Sequence, residues 1–310
     1  MAKKLHAVKG PVASDTLGLI LPHEHLFTDL RGPRVPDYAR ADPQSVVKVV
    51  RPYLDEAYAA GATALVECST VGVGRNIEVL CALADATPIH IIVPTGVYRE
   101  AYIPDLLRET SVEDLAELWI HELTEGMEGT SVKAGFIKLA MSDDGPTPLE
   151  IRNLRAAAKT SLETGAVIAS HTIGGKAARK EMDVLEEAGL DLRRFIWVHA
   201  QTEPDLSMQI EAARRGAYLE LDSVGAPYQS QSELLGMAAG LIEAGFVSQL
   251  LLSHDAGWYN PGSPDGMPDA GYRGYTALMN DFLPELMNGN ATEDQLRLIT
   301  VMNPVNAFAF

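Results

Sequence analysis

Six polar residues interrupt stretches of the chain that are otherwise apolar. His23 and His25 close the run Gly18-Leu-Ile-Leu-Pro-His-Glu-His. Lys138 sits inside Phe136-Ile-Lys-Leu-Ala140. His171 ends Ala166-Val-Ile-Ala-Ser-His, His199 ends Phe195-Ile-Trp-Val-His, and Asp255 follows Ser253-His254. Residues two apart on a strand share a face, so His23 and His25 can converge on one point. Imidazoles with a carboxylate are ligands for zinc, manganese, iron or nickel. One histidine at a strand end is commonly a structural residue, but five candidate ligands at the ends of four strands are hard to explain by chance. Lys138 adds a different chemistry. A lysine in an apolar strand must be paired, neutral or chemically modified, because an isolated buried ammonium is costly. As a neutral amine it can form a Schiff base with a carbonyl substrate. With CO2 it becomes a carbamate, an anion able to bridge two metals.

Positioning these residues together requires a particular architecture. A helix-like stretch, a glycine and a short apolar run recur at Gly61, Gly165, Gly216 and Gly245. The glycine suits the left-handed residue that ends a helix, and the run suits a strand buried on both faces of a parallel sheet. Strands are predicted over 18–25, 63–69, 91–98, 134–140, 167–172, 195–200, 217–223 and 249–255, with Pro22 and Pro94 weakening two of them. Thr147-Pro-Leu-Glu150 and Thr292-x-x-Gln295 read as capping boxes. Asp42-Pro43 opens another helix, which Pro52 is expected to kink or shorten. Eight strands alternating with helices predict a (β/α)8 TIM barrel, whose catalytic groups gather at the C-terminal strand ends. A doubly wound sheet is the alternative, but its first strand usually leads into a glycine-rich phosphate loop, whereas this one ends in His-Glu-His. Residues 1–17 are expected to form a hairpin-like lid on the barrel floor, and 256–272 a long Gly/Pro-rich loop. No composition break divides the chain, so residues 1–310 read as one domain.

Composition excludes other classes. The 310 residues carry 25 basic and 42 acidic side chains, a net charge of −17, which argues against nucleic-acid or anionic-membrane surfaces. Two cysteines, Cys68 and Cys81, offer neither a disulfide framework nor a cysteine zinc cluster. No apolar leader or membrane-length run is visible, so a cytoplasmic location is expected. The Asn290-Ala-Thr292 sequon then reads as a helix start.

His-x-His on the first strand, lysine on the fourth, histidines ending the fifth and sixth, and Asp after Ser-His on the eighth resemble the phosphotriesterase-like family of the amidohydrolase superfamily. Glu67-Cys-Ser-Thr70 with Gly74-Arg75, Thr95-Gly-Val-Tyr98 and Asn303-Pro304 agree with it. The resemblance implies two divalent metal ions, zinc foremost, with manganese, cobalt or iron as alternatives. His23, His25 and Asp255 would hold the buried ion and His171 and His199 the more exposed one. Lys138, as a CO2-derived carbamate, would bridge them together with a hydroxide that attacks the substrate. Asp255 would be the catalytic proton acceptor, and Tyr98 matches the tyrosine that family lactonases place beside the metals. Homodimers are common in the family.

Substrate preference follows from the remaining residues. Ser223 stands where a histidine or an arginine is usual in the family, which puts efficient phosphotriester hydrolysis in doubt. Trp258 and Tyr259 are expected to wall an apolar substrate pocket, with Tyr98, Ser223 and Arg273 completing the substrate-binding set. The favoured reading is hydrolysis of small carboxylic esters or lactones, with slow phosphotriester cleavage as a side activity. Phosphoester or amide hydrolysis at the same centre is the alternative. A metal-free Schiff-base lyase using Lys138 and a non-catalytic binding barrel are the readings from other classes.

Overall fold

The computed structural model describes residues 4–268, 271–289 and 291–310. The chain opens with an antiparallel hairpin of β1 (Lys4–Ala7) and β2 (Gly10–Ala13). Ten further strands follow: β3 (Leu19–Phe27), β4 (Ala62–Glu67), β5 (His90–Ile92), β6 (Pro94–Val97), β7 (Phe136–Ala140), β8 (Ile168–His171), β9 (Phe195–Val198), β10 (Tyr218–Leu221), β11 (Leu250–Leu252) and β12 (Gly257–Tyr259). Parallel pairing runs β12–β3–β4–β5 and β6–β7–β8–β9–β10–β11. The two sheets meet where the chain itself continues, through Val93 and through residues 253–256. Backbone bonds from Asp255 N to His23 O (3.1 Å) and from His25 N to Ala256 O (2.8 Å) tie the second seam. The result is the predicted α/β barrel of eight strand positions, the third being β5 with β6 and the eighth β11 with β12.

Departures from the sequence reading have local causes. Pro94 begins β6 at the break between β5 and β6, where its missing N–H is tolerated. Pro22 lies at the register shift between Leu21 and Glu24 in the β3–β4 pairing. Pro52, expected to kink or shorten its helix, lies inside an uninterrupted helix over Pro43–Ala59. The hairpin expected over 1–17 forms over 4–13, and Ala7 pairs with Ile92 beside the first half of the third barrel strand. Residues 257–259, expected in a loop, make β12 against β3. Gly257 allows this at φ +99°, since a Cβ there would collide with the His25 carbonyl. Both capping boxes form, at Thr147 with Glu150 and at Thr292 with Gln295. Asn290 of the sequon lies outside the described residues. No described helix is long and apolar enough to cross a membrane.

The apolar interior has two parts. The larger lies between the strands and the surrounding helices, with Trp119, Trp197 and Phe282 among its members. The smaller fills the barrel below the site, with Ile20, Val66, Phe136, Ala169, Val198 and Leu251. Strand alternation carries the inward face from this apolar layer into the polar one: Phe136 to Lys138, Ala169 to His171, and Tyr218 to Glu220 to Asp222.

Candidate metal centre

The C-terminal strand ends bring His23, His25, Tyr98, Lys138, His171, His199 and Asp255 to one cleft, which Thr28, Leu30, Val73 and Trp258 also line. Each imidazole is oriented by a partner on one nitrogen. His23 Nδ1 lies 3.0 Å from Glu220 Oε2 and 3.2 Å from Asp222 Oδ2. His25 Nδ1 is 2.8 Å from Ser69 Oγ, and His199 Nδ1 is 2.8 Å from Asp222 Oδ1. Metal-binding histidines are held this way, one ring nitrogen fixed so that the other faces the ion. The Nε2 atoms of His25 and His23 then lie 3.1 and 3.7 Å from Asp255 Oδ1. His171 is placed differently: its Nε2 meets Asp143 Oδ1 and its Nδ1 meets the Tyr98 hydroxyl, both at 3.3 Å.

Of the residues lining the cleft, two have a buried polar atom with no hydrogen-bond partner, Lys138 Nζ and Asp255 Oδ1, and Glu220 Oε1 behind His23 has none either. Lys138 is 2% exposed, too buried to snorkel to water. Buried polar groups are normally satisfied, so an orphaned amine and an orphaned carboxylate oxygen among four imidazoles fit a donor set built for cations. His23, His25 and Asp255 come close enough for one ion to touch all three. Asp222 also lies near His23 and His199. Its oxygens, however, accept from His199 N, His199 Nδ1 and Gln201 Nε2, which makes it the support of both rings.

Electrostatics keep His171 and Asp255 in their ligating forms, whereas at His23 burial is outweighed by Cys68 and Asp222, which raise the imidazole well above its usual range. Burial, with His199 and Lys138 alongside, pushes the His171 imidazole down to about 3, so it is neutral at ordinary pH. Burial alone would raise Asp255, but the contact with His25 and the charges of His23, His25 and His199 hold it well below the usual carboxylate range. Asp222 is likewise held low, by His199 and His23 against the pull of burial. Burial, then Asp255 and Asp143, raises the Tyr98 phenol, which therefore stays a hydrogen-bond donor.

The expected substrate-binding residues separate into two groups. Trp258 lines the cleft, its ring 4.6 Å from His25, at a φ of +78°. It also forms one wall of an apolar groove beside the cleft with Pro227, Tyr228, Gly257, Pro268 and Arg273. Tyr259 is buried and stacks on Phe27 at 5.8 Å, away from the cleft lining. Ser223 is buried and accepts from Gln201 Nε2 at 2.5 Å. Arg273 lines the groove while its guanidinium donates to the His254 and Asp255 carbonyls. Sequence reasoning passed over Glu24, Glu220, Asp222 and Asp143. Glu220 and Asp222 alternate with apolar residues on β10 and its extension, and that spacing is a signal that could have placed them inside the barrel.

Comparison with known proteins bears on this geometry. Residues 3–308 match the phosphotriesterase family. The chain is 28% identical to a phosphotriesterase homology protein of Mycobacterium tuberculosis, over 98% of this chain and 97% of that one. It is 26% identical to the N-acetyltaurine hydrolase of Bos taurus, over 100% and 99% of the two chains. A mutant PTE-like lactonase of Deinococcus radiodurans superposes with a TM-score of 0.89 at 29% identity, covering 98% of this chain and 99% of its own.

Proposed function

This chain belongs to the phosphotriesterase family, and we propose that it is a binuclear metal-dependent hydrolase of small carboxylic esters or lactones. The carrying observation is the pair of orphaned buried atoms, Lys138 Nζ and Asp255 Oδ1, among His23, His25, His171 and His199. His23, His25 and Asp255 would hold one ion and His171 and His199 the other, with Lys138 bridging as a carbamate. Zinc is the first candidate, ahead of manganese, cobalt and iron. Such a pair supplies Lewis acidity and lowers the pKa of water towards neutrality.

The chain's own residues do the rest. Asp255 remains ionised and accepts the proton of the attacking water at its carboxylate. Tyr98 remains protonated, and its hydroxyl donates to the leaving oxygen of the ester. Gln201 and Ser223 form a neutral pair beside Asp222, neither of them an acid or base near neutral pH, so the proton on Asp255 would leave through the cleft. Trp258 and the apolar groove exclude water from the acyl or alkoxy arm of the substrate.

Bond preference follows from the charges at the cleft. Arg99 is engaged by Asp143, Arg273 by two carbonyls, and Arg31 by Asp29 and Asp37. A phosphate or sulfonate on the substrate would compete for cations already in use, so a neutral ester or lactone fits best. Amide hydrolysis is the second reading, favoured by the full-length similarity to an N-acetyltaurine hydrolase. A panel of lactones, simple esters, N-acyl amides and an aryl phosphotriester tests the ordering. Lactones or esters are expected to turn over fastest. A phosphotriester or amide faster by more than about tenfold, a barrier difference near 1.4 kcal/mol, would overturn it.

A further inference from the structure

His171 is the one imidazole of the cluster whose outward nitrogen is Nε2. The other three are fixed through Nδ1, by Glu220 and Asp222, by Ser69 and by Asp222. The Nε2 of His171 instead meets Asp143 Oδ1 at 3.3 Å. Asp143 lies in the loop after β7, and its second oxygen accepts from Arg99 Nη1 at 2.6 Å. The Arg99 guanidinium also sits 5.7 Å from the Tyr102 ring centre and 5.9 Å from that of Tyr98. The Tyr98 hydroxyl closes the loop on His171 Nδ1.

We propose that Asp143, braced by Arg99, is a positioning residue that orients His171 to present Nδ1 to the exposed metal. The inference rests on the binuclear reading above and extends it to a residue outside the ligand set. An imidazole that donates Nε2–H to a carboxylate carries its lone pair on Nδ1 and gains basicity there. The bracing matters because the Asp143 side chain is 54% exposed, and without Arg99 it would rotate into water. The Arg99–Asp143 pair also joins the loop after the third barrel strand to the loop after the fourth, beside the phenol of Tyr98. The two sides of the centre therefore differ in kind. The buried ion's histidines are held by groups deep in the barrel, whereas His171 is held by a clamp at the rim.

The test is zinc binding by wild-type, Asp143→Ala, Asp143→Asn and Arg99→Gln proteins, measured by chelator competition and elemental analysis in the presence of bicarbonate. Thermal unfolding of each metal-free protein is measured alongside. Asp143→Ala is expected to weaken one of the two zinc ions by about 10- to 100-fold and leave the other unchanged. Asp143→Asn, which keeps an acceptor, and Arg99→Gln, which keeps the carboxylate, are expected to fall between. The metal-free unfolding temperature is expected to stay at the wild-type value. Two zinc ions bound by Asp143→Ala with wild-type affinities would overturn this inference alone. Equal weakening of both ions, or a lower metal-free unfolding temperature, would assign Asp143 a structural role and overturn it too. A wild-type protein that binds fewer than two zinc ions would overturn the binuclear reading, and this inference with it.

Discussion

In the proposed centre Lys138 would meet the ions, while Asp222 holds the rings of His199 and His23. Replacing Lys138 with Met removes the orphaned amine and keeps much of its volume. The metal-free protein should be at least as stable as wild type, because no unpaired polar group remains buried. Activity should fall by about 10³-fold or more, since the proposed metal pair would supply several kcal/mol of the catalysis. Full metal content and rate in Lys138→Met would disprove the carbamate assignment. Asp222→Asn weakens the hold on both His199 and His23, so metal affinity should drop by about 10- to 100-fold at both ions. Titration against a chelator distinguishes this from loss at a single ion. The residues that converge on the cleft were legible in the sequence, because a histidine closing an apolar strand has few places to point. Asp143 was not, because an exposed acid that braces a ring has the same sequence surroundings as one that is merely solvated, and the alternation of Glu220 and Asp222 with apolar residues points to an inward face but not to the rings they hold.

At the scale of elements, the strand ends are held by acids that never touch the site. Glu24, between the two histidines of β3, points away from the cleft. It accepts from Ser253 Oγ, His254 N, His254 Nδ1 and Ala256 N, on the segment that carries Asp255. Glu24→Ala would leave those donors buried and unsatisfied. A loss of about 3 kcal/mol or more is expected by urea unfolding. A loss below about 0.5 kcal/mol, typical of a surface change, would contradict the role given to Glu24. Glu181, on the helix Gly175–Glu187 behind β8, contributes a pH dependence. Burial, together with Glu150, raises its carboxyl to about 8, against hydrogen bonds from Ser170 and Thr172. Between about pH 4.5 and 8 the folded chain therefore holds a proton that the unfolded chain has released. The stability this contributes is present at low pH and is lost as pH rises towards 8. Glu181→Gln should thus gain stability relative to wild type between pH 5 and pH 9. A difference that does not change with pH would refute the assignment. Element types were largely legible from apolar runs and caps, since Thr147 and Thr292 act through local bonds that their spacing encodes. Strand β12 was not legible, because its pairing with β3 depends on a close approach at Gly257 that local sequence does not announce.

At the scale of the molecule, the barrel and the centre depend on each other. The proposed ligands come from strands β3, β7 and β8 and from the ends of β9 and β11, so binding two ions would cross-link much of the barrel. Ions that bind only the folded chain stabilise it by mass action, so removing them with a chelator should lower the unfolding temperature by about 5 °C or more. The order of these strands was legible from the alternating pattern. The seam between residues 253–256 and β3 was not, because it is made by bonds between distant segments. The most direct test of the central claim is metal content per chain, by elemental mass spectrometry on protein prepared without chelator from cells grown with added zinc or manganese. About two equivalents per chain are predicted. A value near zero that added metal and bicarbonate fail to raise would contradict the binuclear centre and return Lys138 to Schiff-base chemistry.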